Sequence, residues 1–184
     1  IALQEVNQSK SACKLNMDGE FPIRCDNHIL RVREMLKKRG IDYNYVWRGM
    51  KESYGMFEEG LGVLVEGNID DVDFVALTPP RNDWKMRYAL GVRTGETWFY
   101  SVHTGRWDDN EVSFMSQIEK LQMAVAGKNA IIMGDFNCPD KCTGYKVLEE
   151  TMWQDIWATS PVRCGCATAK SSIDGWSEGE QLMR

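Results

Sequence analysis

The sequence predicts an α/β sandwich: two packed β-sheets with helices on their outer faces. Three observations carry that expectation. Short runs rich in β-branched and aromatic residues follow one another closely up to about residue 103, as strands joined by short connections do. Two longer stretches, near 27–39 and 110–126, instead space their apolar residues at the helical period. Nothing marks a boundary either, since there is no Pro-rich or Ser-rich linker, repeat period or low-complexity tract. With 184 residues, 43% of them hydrophobic, the chain can bury one substantial core, so residues 1–184 are expected to form a single domain.

The elements follow in order. Residues 1–6 form an apolar strand with one carboxylate, Glu5, near its end. The helix over 27–39 buries Ile29, Leu30, Val32, Met35 and Leu36, with Asp26 and Asn27 at its start as caps. Strands are expected near 43–48, 59–66, 72–77, 86–94 and 96–103, the last an aromatic run ending in His103. Asn110 is the expected N-cap of the helix over 110–126, where Phe114, Ile118, Leu121 and Val125 recur on one face. A strand over 129–133 runs into Gly134-Asp135-Phe136-Asn137, and a helix near 144–151 precedes an irregular tail.

The chemistry gathers at strand ends. Residues two apart on a strand point the same way, so Asp135 and Asn137 would project together from the C-terminal end of their strand. A carboxylate can orient water while an amide holds a phosphate oxygen, which is what phosphoester hydrolysis asks of a protein. The alternative is a strand running into an Asx-type turn before Pro139. Glu5 and His103 also end strands, and ligands in sheet folds collect where strand ends meet loops, so one shared site is expected. Arg87, on the strand before the histidine strand, could clamp a phosphate; a surface ion pair is the alternative. His28, at a helix start, reads as incidental.

Charge and cysteines narrow the partners. Asp and Glu outnumber Lys and Arg 27 to 22, giving a formal charge of -5. Duplex binding draws on clustered cations, and the one basic cluster, Arg31, Arg33, Lys37, Lys38 and Arg39, reads as the solvated face of a helix. Nucleic acid is therefore the less favoured partner and a small phosphorylated substrate the more favoured. The absence of an apolar run near 18 residues argues against membrane insertion, and six cysteines without a visible signal peptide point to free thiols in a reducing cytoplasm. Cys138, Cys142, Cys164 and Cys166 have no usual zinc-ligand spacing.

The chain resembles the endonuclease/exonuclease/phosphatase superfamily, which includes pancreatic-type deoxyribonuclease, abasic-site endonucleases, sphingomyelinases and inositol polyphosphate phosphatases. Leu3-Gln4-Glu5 is similar to its metal-binding glutamate motif, Ser101-Val102-His103-Thr104 to its histidine strand, and Gly134-Asp135-Phe136-Asn137 to its signature. Glu58-Glu59-Gly60-Leu61-Gly62 resembles the strand that carries a glutamate facing the histidine. Flanking residues, among them Glu5-Val6-Asn7-Gln8-Ser9, Asp26-Asn27 and Ser172-Ile173-Asp174-Gly175-Trp176, look most like the bacterial branch that includes maltose 6'-phosphate phosphatase.

The resemblance implies a deoxyribonuclease-like four-layer sandwich with two mixed sheets flanked by helices. It also implies a hydrolase acting on phosphoester bonds, with Mg²⁺, or Mn²⁺, held by Glu5. Asp135 would activate water, Asn137 would bind a phosphate oxygen or fix its neighbours, and His103 would stabilise the phosphate or assist the leaving group. Glu59 would hold the His103 tautomer. Arg87, Thr168 and Trp176 would contact substrate, with Trp107 and Trp176 as candidate sugar-stacking surfaces. The family pattern also has an N-terminal strand ending in Asn and a C-terminal Asp-His segment; neither is in this sequence, so a piece of a longer protein is expected. A nuclease on the same scaffold and a catalytically silent binding module are the competing readings.

Overall fold

The computed structural model describes residues 1–16, 20–81, 83–140 and 142–164. Its seven strands are β1 (Ala2–Ser9), β2 (Asn44–Ser53), β3 (Phe57–Val65), β4 (Asp71–Ala76), β5 (Tyr88–Thr94), β6 (Thr97–His103) and β7 (Asn129–Asp135). The helices are α1 (His28–Lys37), α2 (Phe114–Val125), α3 (Thr143–Glu149) and the short α4 (Ile156–Thr159), which lies in the tail expected to be irregular. Strands β1, β3 and β2 form one sheet, antiparallel throughout. Strands β4, β5, β6 and β7 form the second, with β6 and β7 parallel and the other pairs antiparallel.

Side-chain alternation builds the layers. From β3, Leu61, Val63 and Val65 point between the sheets to meet Leu90 and Val92 of β5, with Val46 and Met50 of β2 closing the layer. On the opposite face of β3, Leu64 joins Val6, Trp47 and Ile29 beneath α1. Gly62 lets α1 lie this close, because a Cβ there would come within 2.8 Å of the Ile29 Cδ1. Outside the second sheet, Leu121 and Val125 of α2 cover Ala89, Tyr100 and Val102. Helix, sheet, sheet and helix stack as the four expected layers.

Two local expectations change. Ser113, not Asn110, caps α2, its hydroxyl accepting from the Ser116 N–H at 3.2 Å. Asp109 organises the preceding turn instead, accepting from the Glu111 and Val112 N–H groups. Cys13 and Cys25 are joined in a disulfide rather than left as free thiols. It closes a loop that Arg24 fastens to the first sheet: Arg24 Nε and Nη2 bond Glu58 at 2.7 and 2.8 Å, and Nη1 bonds the Ala12 carbonyl. Among the described residues no helix is long and apolar enough to cross a membrane.

Candidate active site

Two bulges aim side chains into the space between the sheets. On β1 the pairing passes from Leu3–Gly62 to Val6–Gly60, so β1 carries one residue more than β3 over that span, and Glu5 takes a left-handed φ of 52°. A bulge of this kind re-aims a side chain, and a positive φ away from glycine is characteristic of functional positions. The bulge is pinned to the second sheet: Gln4 Nε2 donates to Ser101 Oγ at 2.9 Å, and Ser101 Oγ donates to the Leu3 carbonyl at 3.0 Å. On β2 the pairing passes from Gly49–Gly60 to Lys51–Glu59, again one residue extra. Lys51 is thereby buried with its Nζ 3.0 Å from Glu59 Oε1, and it donates to the Trp84 carbonyl at 3.0 Å.

The second sheet supplies the facing groups. His103 and Asp135 are register partners on the parallel strands β6 and β7, so both point to the same face, with Nε2 and Oδ2 4.0 Å apart. The other Asp135 oxygen accepts the Asn137 N–H at 2.8 Å, an Asx-type turn. The turn reading of this segment holds, one carboxylate oxygen shaping the turn while the other faces His103; β7 ends at Asp135, so Asn137 does not project beside it from the strand as expected. Asn137, at φ 46°, lies just beyond β7 and donates its side-chain amide to the Thr104 carbonyl at 2.9 Å. Arg87, buried just before β5, donates through Nη1 to the Trp84 and Met86 carbonyls at 2.6 and 2.9 Å.

Burial and charge set the protonation states. Burial, with the cations of Arg87 and Lys51 adding to it, pushes His103 down to about 3, so its imidazole is neutral in ordinary buffers. Desolvation first, and then the charge of Glu59, hold the Glu5 carboxyl above its ordinary range, against the opposing pull of Lys51. Desolvation followed by repulsion from Arg87 draws Lys51 below the usual ammonium value. Among the described residues, Asn7 Oδ1, Arg87 Nε and His103 Nδ1 are buried without a hydrogen-bond partner, while Glu59 Oε1 is met by the Lys51 ammonium at 3.0 Å. Buried polar atoms are rarely left this way, so the cluster calls for partners such as water, an ion or a ligand.

The same neighbourhood can hold a cation. Glu5, Glu59 and His103 each offer one ligand atom, all within 4.8 Å of one another. Two carboxylate oxygens and an imidazole nitrogen suit a divalent ion, the oxygens being hard donors.

Of the residues expected at the site, Glu5, Glu59, Arg87, His103 and Asp135 converge, and Asn137 adjoins them. Glu59 is ion-paired with Lys51, and no hydrogen bond joins it to His103. Thr168 and Trp176 lie outside the described residues. Trp107 is packed rather than presented: it is half-buried in the cluster of Phe114, Ile118 and Cys138, and its Cβ would lie 2.5 Å from a Cβ at Gly144. Sequence reasoning missed Lys51. Its burial follows from the bulge, which the strand's own residues do not announce, since Val46 and Trp47 are buried in succession just as Met50 and Lys51 are. It also missed Trp84, 63% exposed on the loop whose carbonyl Lys51 and Arg87 grip. Of the four cysteines whose spacing did not suit zinc, Cys138 and Cys142 have their sulfurs 3.4 Å apart, Cys164 is exposed, and Cys166 lies outside the described residues.

No family model matches the sequence, and no curated protein matches it. Among solved structures, the fold is similar to that of an endonuclease/exonuclease/phosphatase family protein from Leptotrichia buccalis C-1013-b. The TM-score is 0.85 at 23% sequence identity, over 99% of this chain and 72% of the other.

Proposed function

We propose that the protein is a metal-dependent phosphoesterase that hydrolyses a phosphomonoester of a small metabolite, a sugar phosphate such as maltose 6'-phosphate. The observation that carries the reading is the convergence of Glu5, Glu59 and His103, each with a ligand atom within 4.8 Å of the others, beside Asp135 and two buried cations. Glu5, with Glu59 and His103, would hold Mg²⁺ or Mn²⁺, which when bound supplies charge neutralisation for the phosphoryl group.

The chain's own groups divide the remaining work. Asp135 Oδ2 orients and deprotonates the attacking water, its partner oxygen being committed to the turn. The neutral His103 imidazole serves as a hydrogen-bond donor to a phosphate oxygen rather than as a cation. Arg87 and Lys51 add positive charge where a phosphomonoester dianion carries its second negative charge. Asn137 anchors the Thr104 carbonyl and keeps one amide N–H for substrate. Trp84 takes the stacking role expected of Trp107, being an exposed indole on the rim loop.

The reading is tested by Mg²⁺-dependent phosphate release from a panel of sugar phosphates, with plasmid DNA as the competing substrate and Asp135→Ala as control. Phosphate release abolished by EDTA and by the substitution, with DNA intact, is the expected result. DNA nicking with the same dependence would replace it with a nuclease, and inactivity on both with a silent binding module.

A further inference from the structure

We propose that Cys138 and Cys142 are a disulfide-forming thiol pair whose oxidation displaces Asn137. Both are free, and their sulfurs touch at 3.4 Å. A disulfide has its sulfurs about 2.05 Å apart, so the bond needs an approach of roughly 1.4 Å. Cys142 is half-buried and open to a reagent from solvent, whereas Cys138 is buried behind it.

A low-molecular-weight disulfide is sufficient as oxidant. The Cys142 thiolate attacks one sulfur of the reagent, the reagent's S–S bond breaks, and the departing thiolate takes a proton from solvent. Cys138 then yields its proton to water and attacks Cys142 Sγ, expelling the second thiolate, which is protonated in turn. Two protein thiols are oxidised to one disulfide while the reagent is reduced to two small thiols. Burial and the neighbouring Cys142 both push the Cys138 thiol up, which makes the second step the slow one.

The packing turns this movement towards Asn137. Cys138 directly follows Asn137, whose left-handed backbone is fixed by the Asp135 carboxylate. Its sulfur lies against Gly144, where an added Cβ would stand 3.0 Å from Sγ and 2.5 Å from the Trp107 Cβ. Trp107 in turn donates its backbone N–H to the Asn137 carbonyl at 3.4 Å. Cys138 is packed against Gly144 on one side and joined to the Asn137 peptide on the other, so movement of its sulfur towards Cys142 is passed to that peptide. Misplacement of a positioning group by about 1 Å can cost on the order of a hundredfold in rate.

The activity consequence rests on the phosphoesterase reading; the thiol chemistry does not. The test exposes the full chain to oxidised glutathione, then applies peptide mass mapping, phosphate release, and NMR of the Asn137 side-chain amide. The expected result is a Cys138–Cys142 disulfide with Cys13–Cys25 unchanged, a shifted Asn137 amide, and activity lowered roughly tenfold or more. Cys142→Ser, which keeps an oxygen to cap α3, should neither form the bond nor lose activity on oxidation. No disulfide between these two residues, a disulfide without movement of the Asn137 amide, or equal loss in Cys142→Ser would overturn the proposal. If the protein releases no phosphate from any substrate, the mapping and the amide shift still decide it.

Discussion

Glu58 and Glu59 are consecutive on β3 and both buried, yet they live in opposite circumstances. Alternation sends Glu58 to the outer face, where Arg24 grips both its oxygens and Gln8 Nε2 adds a bond at 2.7 Å. Gln8 is itself saturated, its oxygen accepting from the Arg24 N–H and the Asn27 amide. Glu59 faces between the sheets, where its Oε1 meets the Lys51 ammonium and, among the described residues, His103 Nδ1, Arg87 Nε and Asn7 Oδ1 lack hydrogen bonds. A fully satisfied buried network rigidifies a core, whereas unpartnered buried polar atoms are costly unless something else meets them. One strand thus separates stability from chemistry by a single step of the pleat.

That separation can be broken experimentally, and the largest effect should come from the inner face. Asp135→Ala is expected to lower phosphate release on the order of 10²- to 10⁴-fold while moving the melting temperature by only a few degrees, as steady-state kinetics and calorimetry will report. On the outer face the pattern reverses. Arg24→Ala leaves Glu58 a buried charge without its partner and should cost about 3 kcal/mol, or roughly 6–12 °C in melting temperature, read by urea and thermal unfolding. An activity loss as large as that of Asp135→Ala in the protein that remains folded would mean the two faces are not independent.

The pH dependence of stability sharpens the outer half. Hydrogen bonds from Arg24 hold the Glu58 carboxyl below its ordinary value of 4.5, with Gln8 and Lys10 acting in the same direction. A depressed carboxylate contributes stability that is complete above the unfolded value and is lost as pH falls through the folded one. Unfolding free energy should therefore decline below about pH 4.5, and less steeply in Glu58→Gln, when followed by urea titration at several pH values. The smallest effect is expected at the rim: Trp84→Ala should raise KM about three- to tenfold for a sugar phosphate and leave kcat nearly unchanged. A change in kcat instead would place the indole in the chemical step.

What the sequence disclosed follows from how local each signal is. The strands of His103 and Asp135 could be read because each is a short β-favouring run that ends in that residue, whereas β1, expected over 1–6, runs on to Ser9 and carries Glu5 mid-strand at its bulge. The helix of Phe114, Ile118, Leu121 and Val125 was legible from its period, but its cap was not, since Asp109 takes over the turn that Asn110 was expected to serve. Lys51 was hidden because a bulge is a property of two strands in register, and nothing in Arg48-Gly49-Met50-Lys51 announces an extra residue opposite Gly60. Cys13 and Cys25 were hidden for a related reason: their meeting depends on the loop that Arg24 folds back onto Glu58. Trp107 misled because a loop position does not imply exposure, and α3 packs over it.

The bulged strand β1 has a consequence for how the molecule is assembled. Hairpins such as β2–β3 and β5–β6 join neighbours in the chain, and contacts of that kind close quickly. Strand β1 instead pairs with β3 across α1 and β2, and β7 with β6 across α2, so these contacts close longer stretches of chain. Glu5 and Asp135 ride on these two strands. The two carboxylates of the candidate site therefore depend on the longest-range pairings of the two sheets, so the site is assembled from contacts that cost the most loop closure.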